Sequence, residues 1–139
     1  MQIIKTITKT HIKTPLFSSR VPAGFPSSAD DYIDARIDLN KHLIKHPSAT
    51  FFVRVKGSSM NGCGITGGDL LVVDRSLNAI NNSIIVAFLD GEFTLKRVRK
   101  SRKHLYLIPE NSNYKPIKIT DQSNFEVWGV VTHVIKQVK

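Results

Sequence analysis

IIVAFLDGEFTLKRVR, residues 84–99, decides the fold. Two runs rich in β-branched and aromatic side chains meet at Asp90-Gly91, a dipeptide suited to the positive φ angles that both central positions of a type I′ turn require. The reading is a hairpin of Ile84–Leu89 with Glu92–Arg99. Outward from it, Phe51–Lys56, Leu70–Asp74, His104–Ile108 and Phe125–Ile135 have the same strand-like composition and are punctuated by turn residues. Six such runs with little helix predict a mainly β, compact domain. One short helix is expected from Leu39 to about His46. The Asp38 carboxylate can accept from its first-turn amides, and Pro47 discourages continuation. His42 and His46, four apart, would share its solvated face.

Upstream of this region the pattern changes. Residues 1–28 show no sustained periodicity and contain Pro15, Pro22 and Pro26 with Ser18, Ser19, Ser27 and Ser28 nearby, the composition of a flexible, accessible N-terminal arm. The expected division is an arm over 1–28 and a folded domain over 29–139. With 139 residues, 41% of them hydrophobic, the chain suffices for one such domain. It has no apolar stretch near the about 20 residues that a membrane span needs, and no signal-peptide pattern at its start. One cysteine, Cys63, rules out an internal disulfide and suits a reducing compartment, so a cytoplasmic location is expected. The formal charge of +9 favours acidic partners of some kind. It is unevenly spread: Asp30, Asp31, Asp34 and Asp38 crowd one stretch, and Lys96, Arg97, Arg99, Lys100, Arg102 and Lys103 another.

Two residues are candidates for chemistry. In Gly57-Ser58-Ser59-Met60-Asn61, serines follow a strand run at a glycine, a break that can expose a hydroxyl and aim backbone amides at one point; a serine in such a place is ordinarily a turn residue. Lys96 lies inside the second hairpin strand, on the face shared with Thr94 and Val98. If desolvated there, its pKa would fall from the ordinary value of about 10.4 and a neutral amine could take a serine proton. An edge lysine pointing to water is the commoner case. Together the two match the Ser/Lys variant of the nucleophile-base pair in acyl transfer. Cys63 is the competing nucleophile, with no histidine close to it in sequence. The histidines show no metal-ligand spacing, and Trp128 in the last run reads as core. No metal, nucleotide or redox cofactor is expected.

The run Gly57-Ser58-Ser59-Met60, then Gly68-Asp69-Leu70-Leu71-Val72-Val73-Asp74, then Asp90-Gly91-Glu92-Phe93-Thr94-Leu95-Lys96-Arg97, resembles the LexA and UmuD family of self-cleaving serine peptidases. The arm matches the UmuD branch as well, in Pro15-Leu16-Phe17, Gly24-Phe25-Pro26-Ser27, Arg36-Ile37-Asp38-Leu39-Asn40 and His46-Pro47-Ser48-Ala49-Thr50. The resemblance implies a β domain of strongly bent sheets, Ser59 as nucleophile, Lys96 as general base and Ala23-Gly24 as the bond cut. Ala-Gly at that bond is typical of the LexA branch. It also implies a homodimer, a RecA filament on single-stranded DNA as trigger, and a UmuC-type subunit of an error-prone polymerase as client. Repressors of the family carry a helix-turn-helix where this sequence has an arm, which favours the polymerase-accessory branch. The family gives no role to the basic run Lys96 to Lys103, so a weak DNA contact there is a separate expectation. Two further readings compete: a non-catalytic basic β module that binds nucleic acid, and a phage-type repressor fragment. A type I signal peptidase shares the chemistry but needs a membrane anchor.

Overall fold

The computed structural model describes residues 2–5, 13–17, 33–57, 63–110, 113 and 115–139. The chain divides into two compact units, one of Met1–Thr6 with His46–Lys139 and the other of Ile7–Lys45. The smaller unit pairs β2 (Lys13–Phe17) antiparallel with β3 (Ile33–Asp38) and continues into the helix α1 (Leu39–Leu43). Asp38 caps α1, its carboxylate accepting from the Asn40 amide at 3.0 Å. The helix ends before the expected His46, closed by the Ile44 amide donating to the Asn40 carbonyl at 2.9 Å. His46 therefore shares no helix face with His42. It leads instead into a 3₁₀ turn, Pro47–Ala49, where a proline is well placed at the first position.

The larger unit is an all-antiparallel sheet of eight strands in the order β1-β4-β5-β10-β6-β7-β8-β9. The strands are β1 (Gln2–Lys5), β4 (Thr50–Arg54), β5 (Leu70–Asp74), β6 (Ile84–Leu89), β7 (Glu92–Lys100), β8 (Leu105–Ile108), β9 (Ile117–Ile119) and β10 (Phe125–Ile135). At the β6–β7 connection Asp90 has φ 49° and Gly91 φ 89°, with Leu89 opposite Glu92, so the two-residue turn is the one its dipeptide specifies. The six expected strand runs are all present, three of them with the expected ends. Strands β1, β2, β3 and β9 lie outside those runs.

The middle of the sheet is buried on both faces. Val53, Val55, Ile65, Leu71, Val73, Val86 and Leu95 form one core cluster; Ile85, Ala87, Val98, Leu107 and Val130 form another. Neighbours along β6 alternate between the two, as side chains on a strand must. The described residues of this unit include no α-helix to cover either face. Strands therefore supply each other's cover, which a sheet can do only by bending, and β10 carries the means: its register shifts between Val127 and Gly129 against β6, and between Val131 and His133 against β5. Gly129 sits where a Cβ would come within 2.6 Å of Val73 Cγ1. The bend and the absent side chain belong together, since β5 crosses β10 too closely there for anything larger.

Candidate active site

Lys96 is the best-defined element of the site. The tight turn at Asp90-Gly91 fixes β7 beside β6, and β8 covers its other side, so β7 is an interior strand. Lys96 stands opposite Ile85, itself fully buried, and retains 8% of its exposure. Burial disfavours the ammonium form and pushes the Lys96 pKa below the ordinary lysine range. Among the described residues no carboxylate pairs with it to restore the charge. Its outward-pointing alternative is thereby excluded.

Ser59 lies outside the described residues, as do Ser58, Ala23 and Gly24, but the chain on either side of 58–62 is well fixed. After β4, the Val55 amide donates to the Asp69 carbonyl and the Gly68 amide returns to the Val55 carbonyl, both at 2.9 Å. Gly57 follows with φ 90°, a left-handed conformation that glycine adopts at no steric cost. A Cβ on Gly67 would lie 3.5 Å from the Gly57 carbonyl, so the two ends of the 57–67 loop touch. On the far side Ile65 is 1% exposed and Cys63 packs against the same cluster. That cluster also contains Leu95, the chain neighbour of Lys96. The shared cluster sets β7 near the loop's anchors. It does not direct the amine, because strand alternation turns Lys96 to the Ile85 and Val98 face and Leu95 to the other.

The loop is further tied by a contact invisible in the sequence. The buried Asp69 carboxylate accepts the Thr66 amide at 2.9 Å and the Lys136 ammonium at 2.7 and 2.9 Å, while Lys136 also donates to Thr66 Oγ1 at 2.8 Å. Burial alone would raise the Asp69 pKa, but Lys136 and Thr66 outweigh it and hold the carboxyl below its usual range. Lys136 is 67 positions from Asp69, a separation at which no local pattern signals a partner. A second buried carboxylate, Asp74, accepts from Ser76 Oγ at 2.6 Å and the Ser76 amide at 2.8 Å, and meets His46 Nδ1 at 2.5 Å. Burial again opposes ionisation, and Ser76 with His46 again overcomes it, leaving Asp74 below the carboxylate norm. Ser76 and His46 bind different oxygens of Asp74, so the three form a brace and not a nucleophile relay. Trp128, expected as core, lies half-buried at the rim of the first cluster, between Phe51 and Phe93 and under the Arg75 guanidinium 4.7 Å from its ring centre.

The chain matches the family model described as Peptidase S24-like over residues 15–132. It is 43% identical over 126 residues to Protein ImpA of Salmonella typhimurium, covering 90% of this chain and 85% of that one. It is 46% identical over 121 residues to Protein MucA of Escherichia coli, covering 86% and 82%. Protein SamA of Salmonella typhimurium is 42% identical over 125 residues, with 90% and 86% covered. A family model spanning the loop, the lysine strand and most of both units, together with relatives aligned along nearly their whole length, leads to one conclusion: the chain belongs to the S24-like peptidases, the family to which its LexA and UmuD resemblance pointed.

Proposed function

We propose that the protein cuts its own chain between Ala23 and Gly24, with Ser59 as nucleophile and Lys96 as general base, and that the product serves an error-prone polymerase during the response to DNA damage. The observation that carries this reading is the buried Lys96 on an interior strand, with no carboxylate partner among the described residues, in a chain of a serine peptidase family. A solvated lysine stays protonated at neutral pH and removes no proton. Desolvation is what makes the amine a base.

The neutral Lys96 amine takes the Ser59 hydroxyl proton as Oγ bonds to the Ala23 carbonyl carbon. The resulting ammonium returns a proton to the Gly24 nitrogen as the peptide bond breaks. Water, deprotonated by the same amine, then hydrolyses the Ala23 ester and frees the enzyme. Backbone amides beside Ser59 serve as the oxyanion donors. The substrate is the protein's own arm or that of a second copy in a homodimer, so each chain reacts once. A RecA filament acts by populating the cleavable arm position; if that position is about 1% occupied at rest, about 2.7 kcal/mol of stabilisation brings it to near half. The client is a UmuC-type polymerase subunit, in the cytoplasm.

Mass spectrometry of purified protein held at alkaline pH tests the reading. It should yield one fragment ending at Ala23 and one beginning at Gly24. Ser59→Ala and Lys96→Ala should each remain intact while Cys63→Ser is cut. An uncut parent chain, with and without filament, would leave a non-catalytic module in its place.

A further inference from the structure

The basic run at the end of β7 is unused by the chemistry above, and the register of the outer strands shows what it is part of. Arg99 of β7 stands directly opposite Tyr106 of β8, which stands directly opposite Lys118 of β9. Directly opposed residues project to the same face, so these three make one row across three strands about 4.8 Å apart. The other face of the same strands carries Val98, Leu107 and Ile117, also mutually opposed and packed into the second core cluster. The Arg99-Tyr106-Lys118 row therefore faces away from that core.

The row ends at a braced, cationic tip. The Ser101 amide donates to the His104 carbonyl at 2.9 Å, closing the turn that exposes Arg102 and Lys103. Loop residues hold the strand along its β6-side edge: the Asn82 amide donates to the Val98 carbonyl at 2.8 Å, and Asn81 Oδ1 accepts the Lys100 amide at 3.0 Å. His104 lies edge-on to Tyr106 with ring centres 6.2 Å apart, widening the aromatic surface. Glu110 is taken up by Arg97, while Arg99, Arg102, Lys103 and Lys118 are exposed; the carboxylate nearest the patch in the chain is the exposed Asp121, three residues from Lys118, so the patch keeps a net positive charge.

We infer that this face binds single-stranded nucleic acid, with Tyr106 stacking on a base and Arg99, Lys118, Arg102 and Lys103 meeting phosphates. A ring flanked on both sides by cations in one row matches what an unpaired strand offers, bases with free π faces between evenly spaced negative charges. An anionic membrane would instead select for apolar side chains standing proud of the face, and an acidic peptide has no need of the ring. Duplex DNA satisfies the cations but hides its base faces.

Fluorescence anisotropy of the full chain with a labelled oligothymidylate of about 20 nucleotides tests this. Binding should weaken steeply between about 50 and 200 mM salt, as counterion release requires. Arg99→Glu with Lys118→Glu, both at exposed positions, should lower affinity at least about tenfold. Tyr106→Leu should lower it about fivefold or more while Tyr106→Phe retains it. A duplex of equal length should bind more weakly. Self-cleavage should proceed in all these variants, so this result and the peptidase reading stand or fall separately. Equal affinity for duplex, an unaffected double charge reversal, or preference for anionic vesicles or polyglutamate over the oligonucleotide would each overturn the inference.

Discussion

A lysine stripped of water costs the fold something, and that cost is measurable. Because burial depresses the Lys96 pKa, the unfolded chain holds its proton more tightly than the folded one, so Lys96 lowers stability at neutral pH and ceases to do so as pH rises past the ordinary lysine range. Lys96→Met keeps the length of the side chain and removes the charge. It should abolish self-cleavage yet unfold at a temperature equal to the parent's or a few degrees higher by calorimetry, about 1 kcal/mol of stabilisation at most. Cleavage by the parent should accelerate with pH and level off below the ordinary lysine range, since the neutral amine is the reactive form. Asp69 and Asp74 behave in the opposite sense. Their folded pKa values lie below the ordinary aspartate value of 3.8, so each contributes stability that is complete above that pH and is lost as pH falls through the folded value. Asp69→Asn should cost about 1–3 kcal/mol at pH 7 by urea unfolding, and the difference from the parent should shrink below about pH 4.

Among the elements, β10 is the least tolerant of change. Gly129→Ala drives a methyl to within 2.6 Å of the fully buried Val73, which cannot retreat through a packed cluster. The substitution should cost about 1–3 kcal/mol, read as a lower urea midpoint at unchanged slope. The legibility of the elements follows their length and alternation. The β6–β7 hairpin was readable because two long apolar runs flank a dipeptide that fits one turn. Strand β9 has three residues, too few to show a period. In β3, Ile33, Ala35 and Ile37 do alternate with Asp34, Arg36 and Asp38, but the aspartates read as an acidic stretch. Strand β2 contains Pro15, which argues against a central strand; in a sheet of two strands both are edges and the missing amide costs little. For the site, Lys96 was legible as a residue type in a strand, whereas its burial depends on β8 and β6 closing on either side. The Asp69 to Lys136 clamp joins segments that only the completed sheet brings together, and no spacing announces it.

At the scale of the molecule, the cleavage proposed after Ala23 would change more than the length of the chain. Strand β1 borders the eight-stranded sheet, pairing Gln2 to Lys5 with Arg54 to Phe51 of β4, and Ile3 packs on the first core cluster. While residues 6–45 tether it, β1 meets β4 at an effective concentration in the millimolar range. Severed, it becomes part of a separate peptide held by two short ladders, β1 on β4 and β2 on β3, a ligand whose occupancy follows its concentration in solution. Dilution to micromolar should empty it, and amide hydrogen exchange along β4 should then quicken in the shortened protein relative to an uncut Ser59→Ala chain. The backbone groups that β1 had occupied would stand open to any extended segment of another protein. Proteolysis would in this way act as an unmasking step: a covalent event in the arm exchanges an internal, self-satisfied strand partner for a vacancy that another chain can fill.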